Sequence, residues 1–561
     1  MGPGREGIIA RKAAESATRA RSALAAPDRE AGAIPLVGWV LLAMTFLGAA
    51  LIVYEPAMDG VFLSDDGHYV ERNLYVHELS LENFVAIVEP LGPVTLAVVN
   101  YSPTQMLIHA LAWSAFGSET TGHHLVNVVL HAVASLLLIP LFLRSGIPRA
   151  AAILGAAFFL LHPANVEAVA WISQLKSSSA LVLSLATLLV FPKRPSLGTV
   201  LYVLALLAKP TAVVVLPVAA LLAWTQKEQI AKPWWVSWSL IFVLYAGVEF
   251  SVHQRSGAAE AILYDTPFDL VKTVFGLALR YLVMGYTSLG VSAFHEPQPI
   301  RSLLDPWWLC ALPVLAGLAW RLVVVWRRRE PEVAYWVWAI FSFGPISQVF
   351  PFLYPLADRY LYFILPGLIG GALLVVREGF GRLVPEAGRR RACELAAIAA
   401  GVVLCAAMAA HSHQRAGIWR YSATLIADAA RNYPDGVSAN LIRANRAGAV
   451  GDAETAAEAL QAAAERGFNR FEMIYNEPRF DPVRNHPKFQ AVVDEMATGW
   501  IVKVAARESP TQSEVRMAAH AHIARREYGE ARRMLHRALE QGGAYNAQIR
   551  DDLQQLSAIP D

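Results

Sequence analysis

The sequence predicts an all-α, polytopic membrane protein with a C-terminal, soluble helical domain. Of its 561 residues, 55% are hydrophobic and only 17% are charged, whereas about a quarter of the residues in an average soluble domain are charged. Apolar runs long enough to cross a bilayer of roughly 30 Å recur between residues 34 and 410. From about His411 the composition becomes that of a soluble protein.

The first 33 residues are predicted to be a disordered cytoplasmic tail. They are rich in alanine, arginine and serine and contain no apolar run. Their positive charges, among them Arg11, Lys12 and Arg29, precede the first span, and positive charge collects on the cytoplasmic side of membrane proteins. The run from Ile34 to Tyr54 follows, and it is too long for the apolar region of a signal peptide.

Further apolar segments are predicted to cross the membrane, which gives about eleven spans in all. The loop between the first two spans, residues 55–122, contains a short amphipathic segment, Leu79–Val88, and a broken apolar stretch, 93–116. Both suit positions along the membrane surface. The remaining predicted spans lie near residues 124–143, 150–162, 177–191, 197–208, 211–225, 234–250, 306–326, 332–350, 360–376 and 393–410.

The apolar segment 268–294 decides the topology. If it crossed the membrane, the arginine triplets 327–329 and 389–391 would both be external. If it stays outside as a re-entrant or interfacial helix, both triplets are cytoplasmic, as the distribution of positive charge in membrane proteins favours. The sequence therefore predicts a membrane domain over residues 34–410 and an external C-terminal domain over residues 411–561.

The C-terminal domain is predicted to resemble tetratricopeptide repeats. Residues 438–466 and 513–541 each read as a pair of helices, and 467–512 reads as an irregular insert. Small residues at equal offsets in the two pairs would let antiparallel helices approach closely, as they do in such repeats. Another all-helical soluble domain is the alternative. The small residues are Ala444, Ala456 and Ala463 in the first pair and Ala519, Ala531 and Ala538 in the second.

Ionisable residues beside the apolar segments are informative, because such groups are costly at membrane depth and tend to mark a cavity. On the predicted topology they share the external face. A carboxylate there suits a base for a hydroxyl acceptor, and cations there suit a phosphate leaving group. These residues are Asp65 and Asp66 in the first external loop, His162, Glu167 and Lys176 in the second, Lys209 in the third, and Asp358 and Arg359 before the span near Leu361.

These residues also have a purely structural interpretation. Asp65 and Asp66 can be solvated loop carboxylates. Lys176, Lys209 and Arg359 can be interfacial anchors that reach lipid phosphates.

Metal binding is not favoured by the sequence. His124 and His131 share one face of a helix, but a third ligand at a suitable spacing is missing, so packing or hydrogen bonding is the preferred interpretation. The cysteines lie in or beside apolar segments, where they are small core residues, so we predict neither a disulfide framework nor a metal site. They are Cys310, Cys393 and Cys405.

Five short motifs, taken in order, resemble a known family. The set resembles bacterial relatives of the transmembrane, tetratricopeptide-repeat-containing O-mannosyltransferases, which are polytopic glycosyltransferases of the GT-C class. It covers roughly residues 50–375. The motifs are Asn100-Tyr101-Ser102-Pro103-Thr104, then Gly122–Asn127 with Leu130-His131-Ala132, Leu161-His162-Pro163 with Val166–Trp171, Ala208-Lys209-Pro210, and Asp358-Arg359-Tyr360-Leu361-Tyr362.

The resemblance implies a role for each site residue. Asp65 would be the catalytic base, because Asp65-Asp66-Gly67-His68-Tyr69 is similar to the Asp-Glu-x-His-aromatic motif of protein O-mannosyltransferases, and Asp66 would orient the acceptor or assist. Lys209 and Arg359 would hold the lipid phosphate, and Lys176 is a further candidate. The other implied substrate-binding residues are His162 and Glu167, which would shape the sugar pocket, and His68, Tyr101, Asp358 and Tyr362, which belong to the same motifs.

Two positions differ from the family pattern. Ser102 stands where relatives often have arginine, and Gln174-Leu175-Lys176-Ser177 stands where they often have Glu-Arg-Lys-Asp. Both differences remove charge from the predicted external face.

The predicted function is transfer of a sugar from a polyprenyl-phosphate donor to a hydroxyl of a protein or glycan acceptor. The predicted location is the external face of a bacterial cytoplasmic membrane. The sequence has no glycine motif for a nucleotide, which fits a lipid-linked donor, and we expect no cofactor and no nucleic-acid partner. The alternatives are a non-catalytic scaffold whose repeats recruit envelope proteins, a lipid-linked glycan ligase, or a transporter. The lack of a visible inverted repeat argues against the transporter.

Overall fold

The structure is a computed structural model that describes residues 34–98, 100–256, 264–348, 355–383, 387–507, 510–541 and 545–557. Within these ranges the chain forms helices and helical turns without a β-strand, which confirms the all-α prediction. The predicted cytoplasmic tail, residues 1–33, lies outside the described residues.

The first part of the chain forms a bundle around α5, which packs against α1, α6 and α8. Its helices in chain order are α1 (Leu36–Tyr54), α2 (Leu81–Val88), α3 (Pro93–Val98), α4 (Pro103–Phe116), α5 (Thr120–Arg144), α6 (Arg149–Leu160), α7 (Val166–Ala170), α8 (Leu175–Val190), α9 (Pro195–Leu206), α10 (Val215–Gln226), α11 (Lys232–Ser256), α12 (Pro267–Thr287), α13 (Pro306–Arg328), α14 (Glu332–Phe343), α15 (Asp358–Leu383) and α16 (Ala387–Ala416).

Seven of the described helical segments are long and apolar enough to cross a membrane, and a pair bent by 48°, Arg149–Leu160 with Pro163–Ala170, would make an eighth. The chain is thus a multi-pass membrane protein by the length and composition of its helices, while the count of eleven spans stays a prediction. The seven segments are Leu36–Ala57, Thr120–Arg144, Ile172–Val190, Lys232–Val252, Pro306–Arg328, Asp358–Arg382 and Arg389–Arg420.

Apart from α6 of the bent pair, three predicted spans are short helices in the structure. α9, α10 and α14 have 12 residues each, or about 18 Å of helix, which is shorter than the hydrocarbon core. Helix α12 has 21 residues and is not among the seven candidates. It carries Asp269, Lys272 and Arg280, which make it less apolar.

Ion pairs and hydrogen bonds between helix ends gather at one end of the bundle. Arg144 at the end of α5 binds Glu228 at 2.6 Å and donates to the backbone oxygen of Leu188 near the end of α8 at 2.6 Å. Arg377 in the last turns of α15 donates to the backbone oxygen of Gly146 at 2.5 Å. On the predicted topology, with the N-terminus in the cytoplasm, Arg144 follows the second span and is therefore cytoplasmic.

The residues predicted to be external lie at the opposite ends of the same helices. Lys209 donates to Ser177 at the start of α8 at 2.7 Å, and Asp358 begins α15. Asp358 and Arg377 are about 28 Å apart along α15 at 1.5 Å per residue. The two polar layers are therefore separated by nearly the roughly 30 Å thickness of a bilayer core.

The C-terminal part consists entirely of helices and turns over its described residues. Its helices are α17 (Ser422–Asn432), α18 (Val437–Ala449), α19 (Ala453–Glu465), α20 (Phe471–Tyr475), α21 (Pro487–Ala505), α22 (Gln512–Ala524), α23 (Tyr528–Gln541) and α24 (Asn546–Ser557).

The two predicted helix pairs are present as α18 with α19 and α22 with α23. Their assignment to tetratricopeptide repeats stays a prediction. The six alanines at equal offsets are fully buried, which fits the close approach expected of them. They are Ala444, Ala456, Ala463, Ala519, Ala531 and Ala538.

Two predictions about the C-terminal part differ from the structure. The segment 467–512 is not wholly irregular, because it contains the 19-residue helix α21. The boundary placed at residue 411 falls inside α16, which continues to Ala416. Composition changes there because the helix passes from apolar to polar residues, while its backbone hydrogen bonding continues.

Candidate active site

The adjacent carboxylates Asp65 and Asp66, in the loop predicted to be external, have different surroundings. Asp66 is 1% exposed and accepts hydrogen bonds from the backbone N–H groups of Leu63 at 2.8 Å and Ser173 at 2.7 Å. Asp65 is exposed, and its side chain accepts a hydrogen bond from Ser64 at 3.4 Å. Asp66 is therefore fixed in the fold, and Asp65 is open to a substrate.

Burial shapes the chemistry of Asp66. It raises the pKa of this carboxyl to about 7, although the hydrogen bonds from Leu63 and Ser173 act in the opposite direction.

The residue before Asp65, Ser64, has a φ of 49°. Left-handed backbone of this kind costs a non-glycine residue about 1–3 kcal/mol and persists when the surroundings impose it. Ser64 lies within the loop that is closed by the hydrogen bond from the Leu63 N–H to the Asp66 carboxylate.

Lys176 joins the start of α8 to the same loop. Its Nζ donates to the hydroxyl of Tyr69 at 3.1 Å and lies 4.7 Å from the centre of that ring. The Tyr69 hydroxyl also receives a hydrogen bond from the side-chain amide of Asn100 at 3.1 Å. Tyr69 and Asp65 belong to one turn, because the N–H of Tyr69 donates to the backbone oxygen of Asp65 at 3.0 Å. Lys176 therefore lies beside the turn that carries Asp65.

Arg359 is held by Glu167 in two ways. Its guanidinium Nη1 lies 2.5 Å from Oε1 of Glu167, and its backbone N–H donates to Oε2 of the same side chain at 2.7 Å. The guanidinium also lies 5.7 Å from the centre of the Trp171 ring. This arrangement connects the start of α15 to α7, so the arginine is oriented before any ligand arrives.

Three cations share this end of the bundle. Burial lowers the pKa of the Lys209 ammonium group well below its ordinary value, repulsion from nearby Lys176 and Arg359 lowers it further, and attraction to Glu167 opposes both. Lys209 also donates to Ser177 at 2.7 Å. Cations kept together in this way favour a phosphate or another anion as a common partner. The predicted residues Lys176, Lys209, Arg359 and Glu167 are thus brought together.

Glu249 is a site residue that the sequence analysis missed. Its Oε1 accepts hydrogen bonds from the backbone N–H of Tyr101 at 3.1 Å and from the hydroxyl of Tyr245 at 2.9 Å. It is close enough to Lys176 to attract it. The signal was visible in the sequence, because Glu249 is an acid inside an apolar span, where acids tend to be functional.

Tyr101 is one of the predicted residues at the edge of this cluster. Besides its backbone bond to Glu249, its hydroxyl donates to the backbone oxygen of Val88 at 2.8 Å. It therefore ties the loop between α1 and α5 to α11. His68 is exposed and lies in the helical turn Gly67–Glu71 that follows Asp66.

Three other predicted residues take part in helix packing. Asp358 lies 2.7 Å from Nε2 of His295. Tyr362 is fully buried, with its hydroxyl 3.0 Å from Nδ1 of His131. His162 is buried, and its Nδ1 accepts the N–H of Ala164 at 3.2 Å. Their side chains bind these protein partners within the packed bundle.

One acidic cluster within the described chain has a geometry that could suit a metal ion. Carboxylate oxygens of Glu330, Glu332 and Glu378 lie within 4.8 Å of one another. Arg321 bonds to both Glu332 and Glu378, and Arg328 binds Glu378 at 2.9 Å. These arginines already balance the carboxylates. Glu378 also follows Arg377, so the cluster lies at the end of the bundle opposite Asp65.

Comparison with known proteins found no matching family model, no matching curated protein and no matching solved structure. The resemblance carried by the five motifs stays an expectation. Function is therefore inferred from the chemistry of the site.

Proposed function

We propose that the protein is a membrane glycosyltransferase. It moves a sugar from a polyprenyl-phosphate donor to a hydroxyl of a protein or glycan acceptor at the external membrane face. The observation that carries this proposal is the grouping of Lys176, Lys209 and Arg359 beside the loop that holds an exposed Asp65. An anion site and a free carboxylate are the two groups that such a transfer needs.

The reaction assigned to these residues is a single displacement. The acceptor hydroxyl attacks the anomeric carbon and gives its proton to Asp65. The bond from that carbon to the phosphate oxygen breaks, and polyprenyl phosphate leaves with its negative charge against Lys209, Arg359 and Lys176. Asp66 is a positioning residue, because its two backbone hydrogen bonds hold the loop.

The proposed topology has eleven spans. It counts the seven long helical segments, the bent pair and the shorter helices α9, α10 and α14. With the N-terminus in the cytoplasm, this count puts the site and the C-terminal domain outside. The proposed location is a bacterial cytoplasmic membrane, with a tetratricopeptide-like domain that receives the protein acceptor.

The test replaces the two aspartates separately in cells that lack the native gene. Asp65→Asn is expected to lower glycan transfer to envelope proteins by about 10²–10⁴-fold, the usual contribution of a general base. Glu71→Gln, an exposed acid on the same loop, is the matched control and should keep full transfer. Mass spectrometry of the envelope glycoproteins measures the outcome.

Full transfer by both Asp65→Asn and Asp66→Asn would overturn the assignment of this loop. A glycan profile that is the same with and without the gene would favour the non-catalytic scaffold.

A further inference from the structure

The C-terminal domain contains a groove of about 400 Å³. It lies between α17, α18 and the turn Pro478–Phe480, and most of its floor is apolar. Ile426 is 38% exposed, so this floor is open to a partner. The apolar lining residues are Ala423, Ile426, Ile442 and Ala449.

The polar lining of the groove is basic. Arg446 and Arg479 line it together with Asn445, and the lining includes no acidic residue. Glu477 lies 3.5 Å from Arg479 and offsets part of its charge, which leaves Arg446 as the stronger attraction for an acid. The side-chain amide of Asn445 can donate to and accept from a peptide backbone.

The groove is continuous with the segment that contacts the first external loop. The backbone oxygen of Arg420 accepts the N–H of Val61 at 3.2 Å, and its side chain pairs with Asp59. Helix α17 begins two residues later, at Ser422. From Val61 the chain reaches Asp65 in a few residues, so groove and Asp65 are at most about 30 Å apart.

We propose that this groove binds an extended segment of the acceptor polypeptide in which an apolar side chain is flanked by acidic side chains, an inference that rests on the proposed transferase function. The apolar side chain fills the floor, and the acids pair with Arg446 and Arg479. An extended peptide covers about 30 Å in nine residues. The modified hydroxyl is then within about nine residues of the docked side chain.

The test measures peptide binding to the full-length protein in lipid nanodiscs by fluorescence anisotropy. The probe is a labelled 11-residue peptide with a central leucine between two pairs of aspartates. Matched peptides carry lysine in place of the aspartates or serine in place of the leucine. The acidic leucine peptide is expected to bind at least tenfold more tightly than either.

Three protein variants test the groove itself. The double variant R446E/R479E should reverse the preference from the acidic to the basic peptide. Ala449→Trp should weaken binding of the acidic peptide at least tenfold by filling the floor. Arg466→Glu, an exposed arginine outside the lining, is the matched control and should bind like the wild type.

Equal binding of the acidic and basic peptides to the wild type would overturn the inference, as would unchanged binding by R446E/R479E. The binding readout does not depend on catalysis. If the peptides fail to discriminate while Asp65→Asn abolishes transfer, only the groove is wrong. If the peptides discriminate and no variant alters glycans, the proposed transferase fails and the groove stands as a peptide site.

Discussion

The carboxyl group of Asp66 is buried and accepts hydrogen bonds from two backbone N–H groups. Burial raises its pKa to about 7 from a usual value of 3.8. The unfolded chain ionises this group near its usual pKa, and the folded chain resists ionisation up to about pH 7. Its contribution to stability is therefore greatest below about pH 4 and is lost as the pH rises through 7.

Asp66→Asn removes this pH dependence, because asparagine does not titrate. Between pH 4 and pH 8, the free energy of unfolding of the wild type should fall relative to that of the variant by roughly 4 kcal/mol. Thermal unfolding in one detergent at a series of pH values measures the difference. Glu71→Gln, which alters an exposed acid, should leave it unchanged. A constant difference between wild type and Asp66→Asn would contradict the assignment.

Lys209→Met tests the cation that lies near both Lys176 and Arg359. Methionine keeps the apolar stem and removes the ammonium group that binds Ser177. We expect kcat with the lipid-linked donor to fall about 10²–10³-fold, as it does when a preorganised donor to a leaving group is lost. Steady-state kinetics of the purified protein give kcat and KM.

Lys193→Met is the matched control for that experiment. Lys193 is exposed and lies beyond the far end of α8. Its replacement should alter neither constant. Unchanged kcat in Lys209→Met would remove Lys209 from the leaving-group site.

At the scale of elements, α14 and α15 pack through a glycine. A Cβ on Gly367 would lie 2.6 Å from the backbone oxygen of Tyr335 and 2.7 Å from the backbone nitrogen of Ala339. Both distances are too short for any side chain. Small residues allow membrane helices to approach closely in this way, and van der Waals contact then holds them.

Gly367→Ala should therefore lower the free energy of unfolding by about 1–3 kcal/mol, the usual range for an overpacked contact. Gly379→Ala lies on the same helix with nothing within 4 Å of the added Cβ. It should be neutral or stabilising by up to about 1 kcal/mol, because alanine favours helix. Thermal melting of both variants in the same detergent measures the contrast. Equal melting temperatures would show that α14 and α15 can move apart at little cost.

At the scale of the whole molecule, a buried ion pair joins the C-terminal domain to the membrane helices. Arg415 at the end of α16 is 6% exposed and lies 2.8 Å from Asp428 of α17. Asp428 also accepts the backbone N–H of Ala293 at 2.9 Å. Asp358 is 3.9 Å from Arg415 on its other side. One arginine thus serves two buried carboxylates.

Arg415→Met leaves those carboxylates without their cation and should destabilise the protein by about 3–5 kcal/mol. Adding Asp428→Asn removes one of the stranded charges, so the double variant should be more stable than the sum of the two single effects predicts. Thermal melting of the four proteins gives this coupling. Additive effects would mean that the pair does not hold the junction.

The positions of charges along the chain predict much of this arrangement. Positive charge near span ends places Lys209 and Arg359 on one side of the membrane, and the structure puts Lys209 near both Arg359 and Lys176. Equal spacing of alanines predicts the two helix pairs, because a small residue on each helix face permits one close packing. The alanine spacing is a pattern of residues close together in the chain. The charge pattern depends only on the side of a span on which a residue lies.

The partners of the site residues could not be read from the sequence. Asp66 binds Ser173, and Arg359 binds Glu167, across more than a hundred residues of chain. Such contacts depend on how helices pack, and a motif does not encode that. The difference between a buried Asp66 and an exposed Asp65 has the same origin. Glu249 differs from these partners, because the sequence alone marks it as a candidate functional residue: it is an acid inside an apolar span.

Helix α16 continues unbroken to Ala416 and packs against α1, while Arg420 and Asp59 tie the segments that follow these two helices. The C-terminal domain and the loop that carries Asp65 are therefore anchored to the same pair of helices, α1 and α16. Helices commonly tilt in response to a bilayer of different thickness. A tilt of α1 and α16 moves the C-terminal domain and the loop together. On the proposed topology, lipid composition is then expected to change the height of both above the headgroups, while the spacing between the groove and Asp65 stays constant.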